Sequence, residues 1–106
     1  GGPGMFDSVA TAMTELAKDK KINGDKYRYS VIVFTDGASN QGGNSNDFQA
    51  WYKNQGFEQG SIRVFAISFG DSDINQLRAV TEITGGSVFD GKSSLAKAFR
   101  DIRSYQ

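Results

Sequence analysis

Tyr29-Ser-Val-Ile-Val-Phe-Thr-Asp-Gly-Ala-Ser-Asn40 decides the reading of this chain. Its first part, entered from Tyr27, is rich in β-branched and aromatic residues and almost unbroken in apolar character, as expected of a parallel strand covered on both faces. Its second part changes abruptly. From Thr35 to Asn46 the chain is dominated by Gly, Ser, Asn and Gln, which tolerate unusual dihedrals or bond to nearby backbone, so a long loop is expected there.

Working outward, Met5, Phe6, Val9, Met13 and Leu16 recur at helical spacing before Gly24, which predicts a first helix with a glycine stop. Beyond the loop, Asp47 is placed to cap a short helix carrying Phe48, Trp51 and Tyr52 inward,. Ile62 to Phe69 predicts a second strand, again covered on both faces,. Ser72 is positioned to cap a helix with Ile74, Leu77, Val80 and Ile83 as its apolar stripe, ended by Gly85-Gly86,. Ser87 to Phe89 makes a short third strand, and Ser93 or Ser94 starts a last helix with Leu95, Ala98, Phe99 and Ile102 turned inward,.

The resulting order, αβαβαβα, predicts an α/β fold of three-layer αβα type, with a parallel sheet of about three strands and a Rossmann-like winding. The 106 residues, 38% hydrophobic, suit one small core. The first strand is the most apolar of the three yet has no earlier strand to pair with. A further strand is therefore expected before residue 1.

Composition narrows the function. Twelve Lys+Arg balance twelve Asp+Glu, so the basic footprint that a nucleic-acid backbone demands is lacking. The longest apolar stretch, Val31 to Phe34, falls far short of the ~20 residues of a membrane helix. Neither nucleic acid nor membrane insertion is expected. With no cysteine and no histidine, disulfides, thiolate metal sites and Ser-His-Asp or Cys-His catalysis are excluded within this chain. Gly1-Gly2-Pro3-Gly4 matches neither the dinucleotide nor the P-loop spacing,.

Acid follows each strand: Asp36, then Asp71 with Asp73, then Asp90. In open α/β sheets ligands gather beyond the carboxyl ends of the strands, and clustered carboxylates suit a hard divalent cation. Each acid also has a plainer role. Asp36-Gly37 and Asp90-Gly91 suit turns, and Asp71 and Asp73 suit helix capping,.

The opening stretch resembles the von Willebrand factor type A strand that ends in Thr-Asp-Gly. Val64-Phe-Ala-Ile-Ser-Phe-Gly-Asp-Ser-Asp73, Leu77-Arg-Ala-Val, Thr84-Gly-Gly-Ser-Val-Phe89 and Leu95 to Ile102 are similar to bacterial members of that family. The resemblance spans essentially the whole chain. It implies the C-terminal half of a six-stranded, mostly parallel domain, with residues 1–106 as a partial unit, and a cell-surface or extracellular bacterial setting.

The family's metal-ion-dependent adhesion site uses an Asp-x-Ser-x-Ser loop, a threonine, and the aspartate of Thr-Asp-Gly. Asp-x-Ser-x-Ser is absent here, Pro3 stands at the position matching the threonine, and Asp36 alone corresponds. A complete site holds Mg2+ or Mn2+ and leaves one position for a partner's carboxylate. The resemblance thus implies a non-catalytic, adhesion-type protein-binding module with an incomplete site, binding no metal tightly and using a protein ligand. The alternatives are a fragment of an Mg2+-dependent phosphoryl-transfer enzyme and a structural remnant with no site. In the family pattern the strand matching Tyr29 to Phe34 lies beside the first strand of the domain, so its edge here is expected to recruit a second copy of the chain.

Overall fold

The computed structural model describes residues 5–35, 45–70 and 74–105. Helix α1 spans Met5–Asn23, strand β1 Tyr29–Thr35, helix α2 Ser45–Gln55, strand β2 Ile62–Ser68, helix α3 Asn75–Thr84, strand β3 Val88–Asp90 and helix α4 Leu95–Tyr105. The alternating order expected from the sequence is the order observed. The three strands form one parallel sheet, ordered β1-β2-β3.

Growth of the sheet in one direction explains the layers. Two successive right-handed crossovers, through α2 and then α3, place both helices on the same face, and α1 joins them. There Phe6, Val9 and Met13 of α1, Phe48 and Tyr52 of α2 and Val80 of α3 pack on Ile62 and Val64 of β2. The opposite face carries α4, whose Ala98 and Ile102 meet Phe65 and Ile67 of β2, with Ile32 and Phe89 beside them. The protein is therefore an α/β fold with a three-stranded parallel sheet between helices; of the helices among the described residues, three lie on one face and one on the other.

The second strand is the spine. All its residues but Arg63 are buried, because it has a strand on either edge and helices on either face. Its register with β1 runs from Tyr29 opposite Ile62 to Thr35 opposite Ser68. On the other edge β3 is too short to pair all of it, and side-chain chemistry takes over. The Val64 N–H donates to Thr84 Oγ1 at 2.8 Å, and that hydroxyl donates to the Thr81 carbonyl at 2.7 Å. The Ala66 N–H donates to the Ser87 carbonyl at 3.1 Å.

Close backbone approach at this seam requires Gly86, where a Cβ would lie 1.8 Å from the Val64 carbonyl oxygen. No side chain fits there. Just before it, Gly85 ends α3 in the left-handed region (φ 92°), with its N–H directed to the Glu82 carbonyl,.

Several sequence expectations are corrected by these contacts. Strand β1 is half-buried rather than covered on both faces, and Phe34 is 53% exposed. The cause is positional: β1 has a strand neighbour on one edge only among the described residues, and the lone helix on the far face sits over β2 and β3. For the same reason Leu95 and Phe99 of α4 are 42% and 37% exposed, since the α4 residues that reach β2 are Ala98, Ile102 and, at the end of the helix, Tyr105. Helix α2 starts at Ser45, which puts Asp47 in its first turn. The N-cap of α3 is Ile74, without a side-chain cap bond, and Ser72 lies outside the described residues. Ser94, not Ser93, caps α4, its Oγ accepting from the Lys97 N–H at 3.1 Å. The third strand begins one residue later than expected.

Candidate functional site at the carboxyl edge of the sheet

The carboxyl ends of β2 and β3 open onto a concavity of about 440 Å3, lined by Ser68, Gly70, Ile74, Phe89, Asp90 and Lys92 among others. Two of its polar side chains come from strand ends. Ser68 is buried, its hydroxyl turned toward the Gly70 carbonyl at 3.4 Å. Asp90 is exposed, and its carboxylate is occupied locally: Oδ1 accepts from the Lys92 N–H at 2.8 Å and Oδ2 from the Ser93 hydroxyl at 3.3 Å. This is an Asx-type turn, the plainer of the two roles the Asp-Gly pair suggested. Gly91 follows because a Cβ there would come within 2.6 Å of Ile67 and 2.8 Å of the Phe69 ring.

Asp36, the residue corresponding to the family's metal-site aspartate, lies outside the described residues, as do Asp71, Asp73 and Pro3. It follows Thr35, the last residue of β1, whose carbonyl accepts from the Phe69 N–H at 2.8 Å. Among the described residues no group of three or more His, Cys, Asp or Glu side chains is placed to hold a metal ion. Among its described lining residues this concavity offers the Ser68 hydroxyl, the turn-bound Asp90 carboxylate and the Lys92 ammonium.

An apolar strip runs from this edge along the α4 face, and sequence reading missed it. The Phe34 ring lies nearly parallel to that of Phe69 (centroids 6.2 Å apart, 13° between planes) and 6.0 Å from that of Phe99. All three rings are more than one-third exposed. The strip continues into a groove of about 720 Å3 between β1 and α4, floored by Ile32 and Ile102 and rimmed by Arg100 and Arg103. The parity that puts Ile32 and Phe34 on one face of β1 was available from the sequence. That α4 leaves this part of the face open, among the described residues, was not.

The backbone of β1 completes the picture. In a parallel ladder alternate residues address the same neighbour. Since the Thr35 carbonyl faces β2, Val31 and Val33 face it too, and Ile32 and Phe34 direct their N–H and C=O groups to the opposite edge. No other strand lies there among the described residues.

Comparison with protein-family models, with curated proteins and with solved structures finds no match to this chain. No helix among the described residues is long and apolar enough to cross a membrane.

Proposed function

We propose that this chain is a non-catalytic protein-binding module of von Willebrand factor type A character, and that its β1 edge associates with a second copy of itself. One observation carries the reading: among the described residues no strand pairs with the β1 edge to which Ile32 and Phe34 direct their backbone groups, and exposed Phe34, Phe69 and Phe99 lie next to it. Exposed edges are normally blunted by charge, proline or a bulge. Tyr29–Thr35 contains no charged residue and no proline, so none of those chemical guards is present.

A second copy is the partner that fits best. Two β1 edges related by a two-fold axis would pair antiparallel, each supplying the backbone groups of Ile32 and Phe34 to the other. The strand itself is uncharged, so like-charge repulsion does not oppose this pairing. Asp36, directly after the strand, is the residue toward which a divalent cation such as Mg2+ or Mn2+ would be directed in a complete family-type site. With Asp-x-Ser-x-Ser absent from these residues, weak metal binding is the expectation.

Sedimentation of the wild type against Phe34→Pro tests the association. Proline deletes an outward-facing N–H while leaving the β1–β2 ladder its donors, so a dimer that becomes monomer with unchanged circular dichroism supports the reading. A wild type that stays monomeric at millimolar concentration overturns it. For the metal, calorimetric titration with Mg2+ and Mn2+ should show at most millimolar binding, and tight binding abolished by Asp36→Ala would contradict the incomplete-site reading.

A further inference from the structure

The amino ends of the strands, opposite the candidate edge, hold a second concavity of about 390 Å3, and its walls are rich in positive charge: Lys20, Arg28 and Arg63, with Tyr29, Ser61 and the single carboxylate of Asp25. The chain as a whole is neutral, so this is a local concentration of cations.

Arg63 is the anchor. It is the one residue of β2 that is not buried, and its guanidinium is positioned rather than free. Nη1 donates to the Tyr105 carbonyl at 2.6 Å. The side chain is wedged between two glycines: a Cβ on Gly60 would lie 3.5 Å from Nη2, and one on Gly85 would lie 3.5 Å from Nε. Its Nε is buried with no hydrogen-bond partner among the described residues, a costly arrangement for a charged donor.

The other charges are poorly neutralised. Lys20 reaches Asp25 at 3.4 Å, but the Asp25 side chain is fully exposed, and such a pair contributes little in water. The nearby Asp19 is engaged elsewhere, accepting from the Tyr29 hydroxyl at 2.6 Å and from Asn23 Nδ2 at 3.2 Å. Arg28 is exposed. On one wall the Tyr27 and Tyr29 rings meet edge-to-face, with centroids 6.4 Å apart.

We propose that this concavity binds a phosphate monoester, with Arg63 as the fixed donor and Arg28 and Lys20 closing on the oxyanion. The chemistry matches in charge and in shape. Three cations against Asp25, with Asp19 behind Tyr29 keeping its own charge, still leave the wall net positive, which suits the oxyanion of a phosphate monoester,. With Nη1 on the Tyr105 carbonyl and Nε buried, Arg63 offers its Nη2, while the exposed Arg28 supplies the guanidinium fork that favours oxyanions bidentately,. The Ser61 hydroxyl adds a neutral donor, and the tyrosine pair offers a face to an aromatic ester group.

Chemical-shift titrations with inorganic phosphate and with phenyl phosphate at 0.15 M salt test this. Phenyl phosphate should bind more tightly than inorganic phosphate, and Arg28→Ala, an exposed change that spares the fold, should weaken binding about tenfold. Arg100→Ala, which removes a cation from the distant α4 groove, should leave it unchanged. Equal affinity for the two probes, with the Arg28 dependence kept, would restrict the site to the free anion and refute the ester. Absence of saturable shifts at the Arg28, Tyr29 and Ser61 amides, or equal loss in both arginine variants, would overturn the proposal entirely.

Discussion

Strands β1 and β2 are equal in length and similar in apolar content, and they lie side by side in register, yet they occupy opposite circumstances. Val31 of β1 pairs with Val64 of β2. The same side chain is half-buried in the first and 1% exposed in the second. The difference comes from neighbours rather than composition: β2 has strands on both edges and helices on both faces, whereas among the described residues β1 has β2 on one side and an exposed strip on its α4 face. An apolar run therefore specifies a strand without specifying how many partners that strand will find.

The largest effects should fall on β2. Phe65→Ala empties a fully buried position packed on Phe89 and Tyr105 and should cost ~3–5 kcal/mol in chemical denaturation. The paired deletions Val64→Ala and Val31→Ala sharpen the contrast, because the chemistry removed is identical. About 2 kcal/mol is expected at Val64 and about half of that at Val31 in dilute solution. Equal losses at low concentration would mean that β1 is covered as fully as β2, and the comparison would fail.

Next in size is the seam that lets β2 remain central where β3 is too short. Thr84→Val keeps the shape of the side chain but strands the buried Val64 N–H, so a loss of ~1–3 kcal/mol is expected. Thr84→Ser, which restores the hydroxyl, should recover most of it. If valine proves neutral in the same denaturation experiment, the hydroxyl is not the group that replaces the missing strand.

At the edge, stability and association should separate. Phe34→Ser removes an exposed ring and should change monomer stability by ~1 kcal/mol or less, while lowering self-association measured by light scattering at least tenfold. A large stability loss at high dilution would show that Phe34 serves the core of its own chain.

The smallest expected effect is a titration. The Tyr29 hydroxyl donates to the Asp19 carboxylate, which raises its pKa above the ordinary value of 10.0, and burial raises that of Tyr52. Because the folded-state values are raised, the associated stabilisation is fully present below the unfolded value near pH 10 and is lost as pH rises through the folded values. Phenolate absorbance should therefore develop late in the folded protein, and Asp19→Asn should bring one tyrosine back toward ordinary behaviour.

Much of the fold was legible in the residues. The helical stripe of α3, the Gly85-Gly86 stop and the alternation of elements are local or nearly local signals, and they yielded the parallel α/β arrangement without further information. Boundaries moved where capping competed: two serines stood before α4, and only Ser94 fell within reach of the Lys97 amide. The candidate site was less legible. Asp90 showed as an acid after a strand, but its commitment to the Lys92 amide and the Ser93 hydroxyl depends on the turn geometry. Nothing next to Arg63 in the sequence announces its role, because its wedge between Gly60 and Gly85 joins loops more than twenty residues apart.

The sequence by itself determined the periodicities, and through them the strands, the helices and their order, because side-chain spacing and turn chemistry act over a few residues. It also determined that histidine- and cysteine-based catalysis is closed to this chain. Only the tertiary structure decided that two near-equivalent apolar strands would differ in burial, that α4 would pack on the face opposite the other described helices, and that three cations would meet at the amino ends. Burial and electrostatic juxtaposition are properties of neighbours, and neighbours are set by how the sheet grows.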